Sequence, residues 1–175
     1  MKTSQELERQ AALNVAALMA AAARTAPKTR GIDNISVLAV DDPETKGRVI
    51  AKMQEISKRD NLPFVQRDAN CIANAPVLLV IGVADNPPGL DCGFCGHKTC
   101  VESQKAKSTC AFNSIDLGIA VSSAAATAGQ FHVDNRVMFS IGRACRELRL
   151  FGESVRQILG IPLSISGKSP FFDRK

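Results

Sequence analysis

The stretch Val77-Leu78-Leu79-Val80-Ile81-Gly82-Val83-Ala84 has no polar side chain at any position. A strand with one face in water would alternate apolar and polar residues, so this run predicts a central strand covered on both faces. It leads through Asp85-Asn86-Pro87-Pro88-Gly89 directly into a cysteine-rich loop. Loops that are fixed to rigid elements are where functional groups usually lie. The scaffold and the candidate site are therefore expected to meet at the end of this strand.

The loop begins with Asp91-Cys92-Gly93-Phe94-Cys95-Gly96-His97-Lys98-Thr99-Cys100, and Cys110 follows after nine residues, giving the spacing C-x2-C-x4-C-x9-C. The glycine after each of the first two cysteines can adopt the positive φ that a tight wrap requires. Three thiolates from one loop and a fourth from the next element commonly hold an iron–sulfur cluster, whereas zinc ribbons usually pair two distant C-x2-C knuckles. We predict that Cys92, Cys95, Cys100 and Cys110 are ligands of a 4Fe-4S cluster, with a structural zinc ion as the alternative metal.

Other reactive side chains have structural interpretations. Cys145 lies on the apolar side of a predicted helix and is expected in the core, whereas Cys71 is either buried or a thiol near the cluster. His97 is expected at the surface or beside the metal ligands. Asp116 is predicted to cap a helix that opens at Asn113. The sequence has no Ser/His/Asp arrangement, carboxylate pair or phosphate-binding glycine loop, so any chemistry is expected to be redox chemistry carried by a cofactor.

Composition limits the class of protein. The 175 residues are predicted to form a single domain, 1–175, in which 85–110 is an inserted cysteine-rich iron–sulfur loop. Hydrophobic residues make up 45% and charged residues 22%, as in soluble globular proteins. The net charge of +5 is scattered, and no Trp or Tyr is present for base stacking, so we expect no nucleic-acid partner. A mildly basic protein can instead attract an acidic redox partner protein or a phosphorylated cofactor.

The sequence favours a cytoplasmic location without a membrane partner. No segment reaches the ~20 apolar residues of a membrane span. The alanine-rich segment 11–26 lacks the cationic start of a secretory signal, because Glu6 and Glu8 offset Lys2 and Arg9. In a reducing cytoplasm, clustered cysteines indicate metal or redox chemistry and not disulfides.

The N-terminal half alternates predicted helices and strands. A capping box at Thr3-Ser4-Gln5-Glu6 starts a helix that ends near Thr25, a β-branched run at 35–40 predicts a strand, and Asp42-Pro43-Glu44 starts a second helix. Helical spacing predicts the inner faces of the two helices. They are Leu7, Ala11, Val15, Leu18 and Ala22 in the first, and Val49, Met53 and Ile56 in the second.

The C-terminal half continues in the same way. A small-residue helix over 113–129 is predicted to be buried, with a subunit contact as one location for it, and the next helix places Met138, Ile141, Cys145 and Leu148 on one side. Residues 153–159 are interpreted as a short turn of helix, and 161–165 as a strand that Pro162 confines to an edge or a strand start. The tail at Phe171-Phe172 is interpreted as a surface for a partner.

Several segments resemble a family of ferredoxin-domain proteins from anaerobic bacteria and archaea. They are Cys-Gly-Phe-Cys-Gly at 92–96, Ala-Phe-Asn-Ser-Ile-Asp-Leu-Gly-Ile-Ala at 111–120, Asp-Asn-Arg-Val-Met at 134–138, Gly-Ile-Pro-Leu-Ser at 160–164 and Phe-Phe-Asp-Arg at 171–174. The resemblance covers nearly the whole chain and implies a cluster bound by the cysteines.

A weaker resemblance, carried by the order of the elements, is to the flavin nitroreductase fold. It implies an α+β protein with a nitroreductase-like mixed sheet flanked by helices and with the cysteine-rich metal loop after the central strand. It also implies a homodimer that holds FMN at the subunit interface. The arginine-rich opening that usually holds the FMN phosphate has no counterpart here. By position, the basic residues expected at the FMN phosphate are Arg24, Lys28, Arg30, Lys168 and Arg174.

Three functions remain open from sequence. The leading hypothesis is an iron–sulfur redox protein that passes single electrons to a partner protein or to a bound flavin. The second is a zinc-binding interaction module in which the metal only fixes the loop and the Phe171-Phe172 tail binds a partner. The third is an FMN-dependent nitroreductase-like reductase with a vestigial metal loop. Whether the chain is itself an oxidoreductase stays open at this point.

Overall fold

A computed structural model of the chain describes residues 1–171, so Phe172 and Arg174 lie outside the described residues. The elements follow one another as α1 (Ser4–Thr25), β1 (Ile35–Val40), α2 (Pro43–Arg59), α3 (Pro63–Ile72), β2 (Val77–Ala84), α4 (Cys100–Lys105), α5 (Ala111–Gln130), β3 (Asp134–Asn135), α6 (Phe139–Glu147) and β4 (Val155–Ser164). A short 3-10 turn, Thr29–Gly31, lies between α1 and β1.

The sheet has the strand order β1-β2-β4-β3. The α+β class is confirmed, but every pairing within residues 1–171 is antiparallel, where a mixed sheet was expected. Two helices, not one, connect β1 to β2. The chain therefore returns to the end of the sheet at which β1 finished, and Val40 pairs with Leu78 there. An antiparallel pairing follows from that return.

Helices cover both faces of the sheet. Helices α1 and α5 pack on one face, and α2, α3 and α6 pack on the other. The prediction that β2 is a central strand buried on both faces is confirmed, since its side chains alternate between the two cores. Those facing α1 and α5 are Val77, Leu79, Ile81 and Val83, and those facing the other helices are Leu78 and Val80.

Helix α1 keeps its predicted start but only part of its predicted inner face. Thr3 caps the helix, and its backbone N–H donates to the Glu6 carboxylate at 2.7 Å. Of the predicted inner face, Val15 is buried and Ala11 and Ala22 are half-buried, so the prediction is partly confirmed. It is wrong for Leu7 and Leu18, which are 55% and 47% exposed. Helix α1 packs against the small residues of α5, where short side chains allow close approach. The buried face is the alanine-rich one, formed by Ala12, Val15, Ala16, Met19 and Ala23.

The predictions for the C-terminal strand are wrong in two respects. Residues 153–159 are not helical, because β4 already begins at Val155. Pro162 is also not at an edge, since β4 lies between β2 and β3. Gly160 exchanges both backbone hydrogen bonds with Met138, and position 162 faces the same side of the ladder. Proline has no N–H to donate on that side. The missing hydrogen bond is therefore one between β4 and β3, and the hydrogen bonds between β4 and β2 are kept.

The tail is also corrected. Phe171 is 2% exposed and packs in the core beneath α2, α3 and α6, so it does not offer a surface to a partner. Its carbonyl oxygen accepts a hydrogen bond from Arg136 at 3.4 Å. Among residues 1–171, no helix is both long enough and apolar enough to cross a membrane.

Candidate metal centre

The cysteine-rich loop is tied to the scaffold at both ends. Asn113, in the first turn of α5, donates from its side chain to the Ala84 carbonyl oxygen at 3.0 Å, which joins the end of β2 to the start of α5. On the other side, the Arg156 guanidinium lies 2.6 Å from the Asp85 carboxylate and 3.4 Å from the Lys107 carbonyl oxygen. The loop therefore leaves and rejoins the rigid core at fixed points.

Inside the loop, glycine conformation shapes the wrap as predicted. Gly93 and Gly96 have φ values of +77° and +83°, and a Cβ at either position would meet no atom within 4 Å. Backbone conformation, not crowding, therefore explains glycine at both sites. The Gly96 N–H donates to the Gly93 carbonyl at 2.9 Å. The Cys100 N–H donates to the Asp91 carboxylate at 2.6 Å, which closes the turn.

The four predicted ligands line one small cavity. Cys92 is exposed, Cys95 and Cys100 are half-buried, and Cys110 is buried as the N-cap of α5. The cavity volume of about 10 Å³ leaves room for about one water molecule. Within residues 1–171, no three His, Cys, Asp or Glu side chains stand close enough to hold a single metal ion. The fold thus gathers the four thiols around one cavity without forming a closed ligand shell.

Ser103 shows that the donor set of this cavity suits thiolate or sulfide. It lines the cavity, is 1% exposed, and its hydroxyl has no hydrogen-bond partner in the described part of the chain. The hydroxyl lies near the Cys95 sulfur without reaching full hydrogen-bond geometry. Together with the His97 backbone N–H, it lowers the pKa of the Cys95 thiol. An unpaired buried hydroxyl costs about 1–3 kcal/mol, and a charged sulfur acceptor would remove that cost.

The rim of the cavity is apolar. Phe94 stacks on Phe112 with 5.3 Å between ring centroids and 12° between planes, yet Phe94 is 69% exposed. Leu90 and Val101 are also exposed. His97 lines the cavity, with its Nε2 2.7 Å from the Ser108 hydroxyl oxygen. Exposed apolar side chains therefore flank Cys92 in the chain, at positions 90 and 94.

The capping role predicted for Asp116 is wrong. Helix α5 begins at Ala111, so Asp116 lies beyond the free N–H groups of the first turn. Its buried carboxylate instead accepts hydrogen bonds from the Thr29 backbone N–H, at 3.1 Å, and from the Thr29 hydroxyl, at 2.8 Å. Asp116 thereby fixes the turn between α1 and β1 beside the cysteine loop.

Three of the basic residues proposed for a flavin phosphate lie at the cysteine end of the sheet. Arg24 pairs with Asp33, and Lys28 donates to backbone carbonyls at the end of α1. Arg30 donates to the Pro88 carbonyl oxygen at 2.6 Å and so touches the segment that leads into the cysteines. All three cations are already engaged with protein oxygens.

Lys168 lies at the other end of the sheet. It follows β4, whose Leu163 pairs with Val77 at the start of β2, whereas the cysteine loop follows Ala84 at its end. At about 3.3 Å per residue, β2 separates the two ends by roughly 25 Å. One chain therefore does not bring Lys168 to the other three residues. Arg174 lies outside the described residues.

The two remaining cysteines pack on the opposite side of the sheet from α1 and α5. Cys145 is fully buried, and burial raises the pKa of its thiol to about 12, so its predicted place in the core is confirmed. Cys71 is half-buried and packs against the same core. Neither lines the cysteine cavity.

Three residues of this site are not singled out by the sequence for the roles they have. Ser103, Asn113 and Arg156 act through partners that only the fold brings near. Asn113 carries a local signal, since it is interpreted as a helix start, but its bond to Ala84 has no signature in the sequence.

Comparison with known proteins shows the family of the chain. The model of a family described as "uncharacterized protein containing a ferredoxin domain" matches residues 106–174. A relative from Archaeoglobus fulgidus, described as an uncharacterized protein, is 39% identical over 168 residues, which cover 91% of this chain and 89% of the relative. The chain belongs to this ferredoxin-domain family. The family resemblance expected from the sequence is therefore confirmed.

Solved structures confirm that this ferredoxin-domain protein has a nitroreductase-like fold. A nitroreductase with bound FMN from Desulfitobacterium hafniense superposes with a TM-score of 0.60 at 14% identity, covering 96% of this chain and 80% of that one. For B. megaterium NfrA2 the TM-score is 0.59 at 16% identity, covering 89% of this chain. The chain spans only 58% of the length of NfrA2. At these identities the likeness shows the fold alone.

Proposed function

We propose that this protein is an iron–sulfur electron carrier in which Cys92, Cys95, Cys100 and Cys110 hold one 4Fe-4S cluster. The observation that carries the proposal is that four thiols, spread over nineteen positions of the chain, line one cavity. Membership in the ferredoxin-domain family supports it. We also place the protein in the cytoplasm, where such thiols stay reduced.

The chain's own residues would give the centre distinct inner and outer sides. A bound cluster would supply one-electron oxidation and reduction. On the inner side, Cys110 lies at the positive end of the α5 dipole, which favours negative charge, and the Ser103 hydroxyl faces the cavity. On the outer side, exposed Cys92 lies among Leu90 and Phe94. This outer side is where a redox partner protein would make contact.

A second function, that of an FMN-dependent reductase, is favoured by one observation: the fold matches a nitroreductase that carries FMN. In this chain Arg30 touches the segment that leads into the cysteine loop, Lys28 lies two residues before Arg30 and contacts the end of α1, and Lys168 lies at the far end of the sheet. A flavin phosphate held by all of them would need Lys168 from a second copy. We therefore propose a homodimer as the unit that would bind FMN, next to the iron–sulfur centre.

The zinc alternative uses the same four thiols, since zinc accepts a tetrahedral set of four cysteines. Its partner-binding tail is weakened, however, because Phe171 is buried in the core. Zinc would fix the loop but would not transfer electrons. Metal identity therefore separates an electron carrier from an interaction module.

The deciding experiment is metal and acid-labile sulfide analysis, with a visible spectrum, on protein purified without oxygen from cells supplied with iron. We expect about four iron and four sulfide per chain, with broad absorbance that dithionite bleaches. Zinc at one per chain without sulfide would instead support the interaction module. FMN retained at one per chain, with NAD(P)H-dependent turnover of quinones or nitroaromatics, would support the reductase.

The ligand assignment is tested by a pair of cysteine variants. Cys95→Ser should lose the bound iron, because Cys95 lines the cavity. Cys145→Ser is the matched control, since Cys145 is buried in the opposite core, and it should keep full iron. Full metal content in Cys95→Ser would overturn the site proposed here.

A further inference from the structure

A second cavity lies next to the cysteine loop, between α5, α6 and β4. Its volume is about 360 Å³, within the ~300–1,000 Å³ typical of small-molecule sites. Ser114, which lines this groove, donates from its hydroxyl to the Cys110 carbonyl oxygen at 3.3 Å. Arg156, on the opposite wall, contacts the Lys107 carbonyl oxygen. The groove and the cysteine loop therefore share walls.

One side of the groove is cationic. Arg143, Arg146 and Arg156 line it, and no acidic side chain is among the lining residues of this described region. Arg143 is paired with Asp60, and Arg156 with Asp85. The Arg146 guanidinium makes no hydrogen bond or ion pair with residues 1–171. Planar guanidinium groups that converge on a cavity suit phosphate, which they bind through paired N–H donors.

Gly118 keeps the groove open. It lies in the middle of α5, where glycine costs roughly 0.5–1 kcal/mol relative to alanine. A Cβ at this position would meet no atom within 4 Å, so no neighbouring residue requires glycine there. Gly142 on the opposite wall is different, since a Cβ there would lie 1.7 Å from the Ile158 carbonyl oxygen. Packing explains Gly142, whereas Gly118 is exposed on the groove wall and leaves open a position that a longer side chain would fill.

The remaining wall is apolar and carries an aromatic ring. Leu117 and Leu159 line the groove, and Phe139 lines it while being 55% exposed. An exposed aromatic ring beside a helical glycine offers a surface on which a flat ring can stack. The groove thus combines phosphate chemistry on one side with aromatic chemistry on the other.

We propose that this groove binds a nucleotide, with its phosphate at Arg146 and its base or flavin ring against Phe139 and Gly118. The proposal stands on the groove alone and does not depend on which metal the cysteines hold. The shared chemistry is a phosphate joined to a planar ring, which redox nucleotides such as FMN and NADPH and non-redox nucleotides such as ADP all have. A redox nucleotide in this place would lie beside the metal centre.

The test is isothermal titration of the full chain with FMN, NADPH and ADP. We expect saturable binding of at least one of them at one site per chain. Arg146→Ala should weaken that binding about tenfold, as expected for the loss of a charge-assisted hydrogen bond. Gly118→Leu should weaken it at least as much by filling the groove. Binding of FMN or NADPH but not ADP would assign a redox nucleotide, and equal binding of ADP would assign a general nucleotide site.

Matched controls separate the groove from general effects. Gly129→Leu changes another open glycine of α5 outside the groove, and Arg48→Ala removes an exposed arginine of α2. Both should bind as the wild type does. Iron content and oligomeric state are measured for each variant, so a failure of the cluster proposal shows up separately.

Three outcomes would overturn the nucleotide site. The first is that none of the three nucleotides binds the wild-type protein saturably. The second is that Arg146→Ala and Gly118→Leu both bind with wild-type affinity. The third is that Lys28→Ala weakens FMN binding while Arg146→Ala does not. The last result would assign the flavin to the connector between α1 and β1.

Discussion

Ser103 is placed to donate a hydrogen bond to a sulfur atom in the cysteine cavity. Its hydroxyl is buried, unpaired within residues 1–171, and faces the cavity that the four cysteines line. Hydrogen bonds to cluster sulfurs are one of the ways in which proteins set reduction potential. A reduced cluster carries one more negative charge than an oxidised one, so a hydroxyl donor stabilises the reduced form more.

We therefore expect Ser103→Ala to shift the midpoint potential of the cluster to more negative values. The measurement is a redox titration followed by electron paramagnetic resonance, with iron and sulfide content determined for each sample. Ser122→Ala is the control, because Ser122 is an exposed residue of α5 that lines neither the cysteine cavity nor the groove. Equal midpoints in fully loaded wild type and Ser103→Ala would show that the hydroxyl does not tune the cluster.

Among single residues, the sequence predicts those whose roles depend on neighbouring positions in the chain. The cysteine spacing and the glycines at 93 and 96 are such signals, because neighbouring positions must wrap one cavity. Asp116 was misassigned because its partner, Thr29, is 87 positions away and reaches it only through the fold. Arg146 and Gly118 carried no signal for the same reason, since each lines a groove formed by three separate elements.

At the scale of elements, the contact between α6 and β4 leaves the least room for a Cβ among the glycine positions of the described fold. A Cβ on Gly142 would lie 1.7 Å from the Ile158 carbonyl oxygen, and one on Gly160 would lie 2.3 Å from Ile141. The clash at Gly142 would be with backbone atoms, which cannot move aside as the end of a flexible side chain can. The two elements that frame the groove are therefore held at a distance that only glycine permits.

Gly142→Ala should accordingly destabilise the protein by about 3 kcal/mol through overpacking. The control is Gly47→Ala in α2, where a Cβ would meet no atom within 4 Å. That change should stabilise the protein by about 0.5–1 kcal/mol, because alanine favours the helix. Thermal or urea unfolding measures both, and a neutral Gly142→Ala would contradict the α6–β4 contact described here.

An ion-pair cluster links the end of α2 to α6. The Arg59 guanidinium bonds to Asp60 and Glu147, and it lowers the pKa of the Asp60 carboxyl to about 2 from 3.8. Because the folded pKa lies below the unfolded one, the stabilisation is present above about pH 4 and is lost as the pH falls towards 2. Arg143 also pairs with Asp60, which extends the cluster along α6.

Asp60→Asn should therefore flatten the loss of thermal stability between pH 4 and 2. The measurement is the unfolding midpoint at a series of pH values. Asp41→Asn serves as the control, since Asp41 is an exposed residue outside this ion-pair cluster, and it should keep the wild-type profile. An unchanged profile for Asp60→Asn would mean that the cluster contributes nothing to acid stability.

The sequence predicts some helices and strands correctly and others not. Strands β1 and β2 and the start of α2 match their predicted bounds, because a continuous apolar run and an Asp-Pro start are local signals. Strand β4 was misread because Val155, Ile158 and Leu159 also recur at helical spacing. Its conformation is decided by pairing with β2, which lies more than seventy positions earlier in the chain.

At the scale of the whole molecule, the resemblance predicts a fold class, which the structure confirms, and a homodimer, which stays a prediction. Within one chain Lys168 lies at the opposite end of the sheet from Lys28 and Arg30, so a flavin phosphate bound by all three would need a second copy. We propose helix α5 as the surface on which that copy packs. Ile115 and Ile119 are 44% and 36% exposed and, four residues apart, lie on the same side of the helix.

We expect the wild-type protein to be a dimer by light scattering coupled to size-exclusion chromatography. Replacing Ile115 and Ile119 together by Glu should give a monomer, because paired charges would be buried without partners at the interface. Leu7→Glu, at an exposed position near the start of α1, is the control and should remain dimeric. A wild-type monomer, or a dimer that survives the double change, would exclude the α5 interface. It would also leave Lys168 without a route to a flavin held at the cysteine end of the sheet.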